Sequence, residues 1–324
     1  AALLLLTGAG GRFGPKSAGW QSVQDSAVSK NAAEQLSEFD PHWGSVGVFS
    51  SAELCAECHK ASSDGSGVMR LPRSASGLDI SPSAGWRHSM MAHAWNDPYF
   101  QAVVEEQATE FPAYAGDIED KCLSCHSPMA HSHAHDTGLG LSRADCALAD
   151  DGCYRMESAS RHNHAREGVS CTLCHQMVED DVSPSLSGNY LVPGERDEAS
   201  RTLFGPFRDP LTRPMAINTG YKVAHSEFLG SSEHCASCHE LSTPTFDVNT
   251  GHPAEPATSF REQAAYSEWR NSKFGDGEGT DKSCQDCHMP APAKDYATAI
   301  AVPRSGIANS RWPERSPYSL HGIA

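Results

Sequence analysis

The sequence predicts a chain of loops and short α-helices with few short strands, wrapped around something other than its own side chains. Three observations lead there. Glycine and proline supply 27 and 20 of the 324 residues, so turns interrupt the chain often. Aromatic residues make up only 8%, which leaves few large side chains to build a core. Ten of the twelve cysteines recur in five copies of one pattern, Cys-x-x-Cys-His, between Cys55 and His288.

The length allows two or three domains as a soft prior. The 25 Lys+Arg stand against 41 Asp+Glu, a formal charge of −16. Such a surface cannot neutralise a run of phosphates, which argues against a nucleic-acid partner. The apolar fraction of 39%, before glycine is counted, argues against gross disorder.

The five patterns carry the chemistry. They are Cys55, Cys58 and His59; Cys122, Cys125 and His126; Cys171, Cys174 and His175; Cys235, Cys238 and His239; and Cys284, Cys287 and His288. This is the attachment signal for c-type haem. Two intervening residues let one tight turn offer both sulfurs to the two vinyl groups on a porphyrin edge. The next histidine then falls beneath the iron as its proximal ligand. Zinc ribbons pair their Cys-x-x-Cys units and do not require the histidine. Thioredoxin-like sites use a single unit. A disulfide scaffold would not place histidine after every pair. Five covalently attached c-type haems are therefore expected.

Covalent haem of this kind is assembled outside the cytoplasmic membrane, so a secreted location, periplasmic or extracellular, follows. The opening Ala1–Leu6 stretch has two readings, the tail of a signal-peptide apolar core or an apolar mature terminus. It is too short to span a bilayer, and no other run approaches that length. Residues 1–40 are Gly/Ser-rich, hold no attachment motif and read as an extended arm. Residues 41–324 form the pentahaem domain.

Within it a partial repeat relates 50–128 to 231–290, two units of two haems each. Both run Ser-Ser, Cys-x-x-Cys-His, Trp-Arg-x-Ser (Trp86 to Ser89; Trp269 to Ser272), Cys-x-x-Cys-His. Pro98–Gln107 reads as a short helix with a proline start, and Ser259–Lys273 as another, rich in helix formers. Short strands are expected in the Pro/Gly/Asn-rich stretch 181–222, for instance at Gly188–Val192. The two remaining cysteines, Cys146 and Cys153, suit a small disulfide loop in an oxidising compartment, with a free reactive pair as the alternative.

After the five motif histidines, twelve of the 17 remain. Five haems with two axial histidines each would use ten, so the excess fits ligation by imidazole on both faces of the iron. The residues chosen for the second face are His42, His93, His164, His225 and His321. His42, His164 and His225 each precede a motif; His93 follows the Trp86 element; His321 alone lies downstream of the last motif. The cluster His131, His133 and His135 offers either one more ligand or a site for an adventitious metal.

The sequence resembles the multihaem cytochrome c superfamily that includes the tetrahaem cytochromes of ammonia oxidisers and the cytochromes of extracellular filaments. The similar segments are Trp86–Met91 running to Asp97-Pro98, the second motif with Ser127-Pro128, Gly168-Val169-Ser170 with the third motif, and Gly205-Pro206-Phe207. They continue with the fourth motif and Glu240–Pro244, Glu268–Ser272, and the fifth motif with Met289-Pro290. The resemblance implies bis-histidine haems stacked alternately parallel and perpendicular in a chain, one-electron transfer and, in some filament members, a ligand from the neighbouring subunit. A fifth motif departs from the tetrahaem members. The absence of Cys-x-x-Cys-Lys departs from pentahaem nitrite reductase, so its lysine-ligated catalytic haem is not expected.

Iron capped on both sides has no open position, which favours electron carriage over catalysis. The expected role is an electron-transfer protein outside the cytoplasm, working with redox partner proteins and self-associating head to tail into a conductive filament. Two other roles are a periplasmic oxidoreductase acting on nitrogen or sulfur oxyanions, which needs one five-coordinate haem, and a haem-rich structural or storage protein.

Overall fold

The computed structural model describes residues 39–180, 186–193, 201–247, 249–254, 257–275, 279–294, 296–301 and 312–322. The arm expected at 1–40 lies almost wholly outside them. Phe39–Ala324 is one compact unit.

Its elements are short, as the glycine and proline content requires. The helices are α1 (Ala52–Ala56), α2 (Pro82–Arg87), α3 (Pro98–Glu110), α4 (Ala115–His126), α5 (Pro128–Thr137), α6 (Met156–Ser160), α7 (Asn163–Arg166) and α8 (Cys171–Cys174). They continue with α9 (Thr212–Thr219), α10 (Ser232–His239), α11 (Ala265–Arg270) and α12 (Cys284–His288). Local signals start several of them. The Asp97 carboxylate accepts from Tyr99 N–H, and Pro98 opens α3, the longest helix at 13 residues. Ser81 caps α2 in the same way, ahead of Pro82. Ser283 and Asp286 form a capping box at α12. Gly138, at φ +73°, ends α5 in the left-handed region.

The described strands form five two-stranded sheets. Antiparallel pairs join β1 (Ser45–Val46) to β2 (Phe49–Ser50), β3 (Arg70–Leu71) to β4 (Leu78–Asp79), and β5 (Leu141–Ser142) to β6 (Cys153–Tyr154). The one parallel pair is β7 (Thr202–Gly205) with β8 (Lys222–His225), and α9 provides the crossover it needs. The last antiparallel pair is β9 (Leu241–Pro244) with β10 (Ser259–Gln263).

That last pair corrects an expectation. Ser259–Lys273 reads as one helix, yet Ser259–Gln263 is strand and only Ala265–Arg270 is helical. The backbone of 259–263 pairs across to β9, with Phe260 opposite Thr243 and Arg261 opposite Ser242. This non-local pairing overrides helix propensity. The helix starts late because the buried Glu240 carboxylate holds its first turn, accepting from Ser267 N–H (3.0 Å) and Ser267 Oγ (2.7 Å). Of the β-prone 188–192 stretch, only Leu191 pairs, in a bridge to Val178.

Two side-chain clusters fill the interior. One gathers Trp95, Phe100, Val104, Leu123, Ala130 and Tyr154. The other gathers Val48, Phe49, Met129, Leu173, Val192 and Phe228. Each takes a residue from inside an attachment motif: Leu123, 0% exposed, and Leu173, 1% exposed.

Candidate cofactor-attachment sites

Every motif falls on a helical turn. The second and fourth end α4 and α10, the third starts α8, the fifth is α12, and the first runs out of α1. Cysteines three apart then share one face, and the histidine begins the next turn. Most residues between the cysteines turn inward: Ala56, Leu123, Ser124, Thr172, Leu173, Ala236 and Ser237 are buried, whereas Glu57 and Asp286 are exposed and Gln285 is half-buried. The cysteines stay half-buried, and Cys287 is exposed. Sulfurs are thus presented along the rim of the packed interior, where an attached group can be accommodated.

The motifs meet in an order the chain does not follow. The Cys55 and Cys171 thiols lie close enough to perturb one another, which joins the first motif to the third. Cys125 likewise neighbours Cys238, joining the second to the fourth. Cys235 neighbours Cys284, joining the fourth to the fifth. Cys174 lies close enough for its charge to be felt at Cys235 and Cys238, so the third motif neighbours the fourth as well.

Three of the motif histidines are held as neutral rings. His175 Nδ1 lies 2.7 Å from Phe204 O, and Phe204 N–H donates back to His175 O at 2.6 Å. His126 Nδ1 lies 2.9 Å from Ala94 O, and Phe100 stacks on its ring at 3.7 Å and 2°. A carbonyl carries no proton, so Nδ1 is the N–H donor in both rings. The lone pair is left on Nε2, the state a metal requires. Burial pushes both rings below the ordinary histidine range. Burial and then the neighbouring His175 bring His59 down to about 4.

His321 was chosen from sequence for the second face, and the structure sets it beside His175. The ring centroids are 6.5 Å apart and the planes 12° from parallel. Two imidazoles sharing one metal, at about 2 Å per bond, have centroids roughly 6 Å apart. His321 Nδ1 faces Ser319 O at 2.9 Å, so its lone pair is on Nε2 too. Burial and then His175 lower it to about 4. The donor set and its spacing fit an iron between these two rings.

The other choices divide. His164, on α7, is buried, and burial brings it to about 3. Its ring sits 5.7 Å from Trp43, 5.3 Å from His162 and 6.0 Å from His133. His225 closes β8 opposite Gly205, half-buried. His42 and His93 are exposed. A residue not chosen stands out: His234 is buried, its Nδ1 has no hydrogen-bond partner, and it feels the charge of His175. Its position four before Cys238, on the same face of α10, is the signal that could have marked it.

Cys146 and Cys153 form a disulfide, with Cα atoms 5.5 Å apart. No helix among the described residues is long and apolar enough to cross a membrane. Residues 234–309, which hold the fourth and fifth motifs, match the family model described as cytochrome c554 and c-prime. No curated protein and no solved structure matches the chain. Taken with the motif geometry, the family match supports a c-type cytochrome, an electron carrier with covalently bound haem.

Proposed function

We propose that the chain carries five c-type haems, one on each Cys-x-x-Cys-His, and passes single electrons among them outside the cytoplasm. The observation that carries the reading is the nearness of motif sulfurs: Cys55 to Cys171, Cys125 to Cys238, and Cys235 to Cys284. Groups tethered through closely spaced sulfurs are neighbours, and one-electron exchange depends on that nearness. When bound, haem supplies the one-electron iron couple that side chains lack. The chain supplies the tethers, the proximal rings His59, His126, His175, His239 and His288, and the second-face imidazoles. His321 has the strongest support among these, from its spacing to His175. His164 and the buried His234 follow; His42, His93 and His225 rest on sequence position alone.

Intact-mass spectrometry combined with electron paramagnetic resonance tests the reading. Five tetrapyrrole increments and wholly low-spin ferric signals are expected. Fewer increments, or a bare polypeptide mass, removes it. A high-spin signal in intact protein replaces electron carriage with catalysis at an open iron. The proposal extends to head-to-tail assembly, which rests on sequence alone; electron microscopy showing only discrete particles at high concentration would remove that part.

A further inference from the structure

Helices α4 and α5 carry a second cluster of donors that lies outside the attachment motifs. His131 and His135 stand one turn apart on α5, with ring centroids 4.4 Å apart. Asp120 of α4 faces both. Its Oδ1 lies 2.8 Å from His135 Nε2, and its Oδ2 lies 3.3 Å from His131 Nε2. One atom from each of the three residues can be chosen so that all lie within 4.8 Å of one another. The side chains are 16–24% exposed, enough for a small ion to reach them.

The hydrogen bonding around the cluster is incomplete in an informative way. Asp151 Oδ2 lies 3.3 Å from His135 Nδ1. A carboxylate there takes the proton on Nδ1, so a neutral His135 turns its Nε2 lone pair toward Asp120 Oδ1. That 2.8 Å contact is met either by a second proton, which makes His135 a cation, or by a metal ion in the proton's place. The approach of His131 Nε2 to Asp120 is poorly aligned, and this buried nitrogen has no hydrogen-bond partner. Asp120 is itself held, since Tyr154 N–H donates to Oδ1 at 2.7 Å. The Cys146–Cys153 disulfide closes the loop that bears Asp151 and leads into Tyr154.

We propose that His131, His135 and Asp120 bind one divalent transition-metal ion of the zinc type. Two imidazoles and a carboxylate suit that class and not calcium or magnesium, which prefer oxygen ligands alone. Bonds of about 2.0–2.2 Å place tetrahedral ligands roughly 3.4 Å apart; the His131–Asp120 spacing of 3.3 Å matches this, and the His135–Asp120 contact of 2.8 Å opens on binding, with water completing the set. Asp151 supplies the outer carboxylate that fixes His135. The ion pins α4, which carries the second attachment motif, to α5. The inference is independent of the number of haems.

The test uses the fully haem-loaded protein, stripped with chelator and titrated with zinc chloride by calorimetry. Bound zinc is counted by elemental mass spectrometry after gel filtration. One zinc per chain is expected, together with a higher melting temperature. Asp120→Asn keeps an acceptor for Tyr154, and His135→Gln keeps similar bulk. Each should weaken zinc binding by more than about 100-fold while haem content stays unchanged. Zinc uptake well below one per chain overturns the proposal, as does equal uptake by wild type and both variants. So does a His131→Ala variant whose haem spectrum turns high-spin, because His131 would then be serving iron.

Discussion

Gly85 offers a direct probe of the His175–His321 pair. It lies in α2 against the C-terminal segment, and a Cβ added there would sit 2.7 Å from Gly322 N and 2.9 Å from the His321 carbonyl carbon. Ordinary contact begins near 3.4 Å, so Gly85→Ala drives the two backbones apart by about 0.7 Å. Metal–ligand distances tolerate only about 0.2 Å. The displacement exceeds that several-fold, so His321 is pulled off its partner. With five haems, about one iron in five should turn high-spin by electron paramagnetic resonance, with no loss of haem. His321→Ala should give the same signal without touching α2. If both variants stay wholly low-spin, His321 is not a ligand. If only His321→Ala responds, the backbone yields without moving the ring and the steric argument fails.

Other perturbations separate the forces that hold the chain. Replacing both Cys146 and Cys153 by serine releases a short loop and should cost about 2.5 kcal/mol, read from urea unfolding by far-ultraviolet circular dichroism; an unmoved midpoint would show that the bridge constrains nothing. Phe100 is buried and stacked on His126, so Phe100→Ala should cost about 3–5 kcal/mol, while Phe100→Leu retains most of the stability. Equal losses in the two variants would place the effect in the stack and not in volume. Gly138 and Gly168 both have φ near +70°, but a Cβ on Gly138 meets nothing within 4 Å, and one on Gly168 lies 2.6 Å from Met91 O. Gly138→Ala should therefore cost about 1–2 kcal/mol, and Gly168→Ala clearly more. Similar melting temperatures for the pair would refute the close approach.

What could be read from sequence follows the reach of each interaction. The five Cys-x-x-Cys-His motifs are legible because their pattern is complete within five residues, and each lies on a helical turn. The helix at Pro98 is legible because Asp97 and Pro98 act within one turn, although it runs to Glu110, past the expected Gln107. The strand at Ser259–Gln263 was hidden because its partner, β9, lies earlier in the chain and leaves no local mark. Second-face histidines suffer the same limit. His321 and His164 lie against other histidines, His42 and His93 are exposed, and His234 is buried, and none of this is marked in the local sequence.

The same reasoning reaches the path an electron would take. A chain order of motifs suggests a line, first to fifth. The sulfur pairings draw a branch instead: the first neighbours the third, and the second and fifth both neighbour the fourth. Cys174 ties the third motif to the fourth by proximity. On the proposed reading, α10 is therefore the junction through which every route to the second or the fifth motif passes. The fifth motif, with Cys287 and His288 exposed, is an end open to a partner. Loss of an end would leave the other sites connected, whereas loss of the fourth would isolate the second and the fifth from the rest. A partner docking at that end would meet an acidic molecule, so a basic face on the partner would speed the encounter, and added salt would slow it.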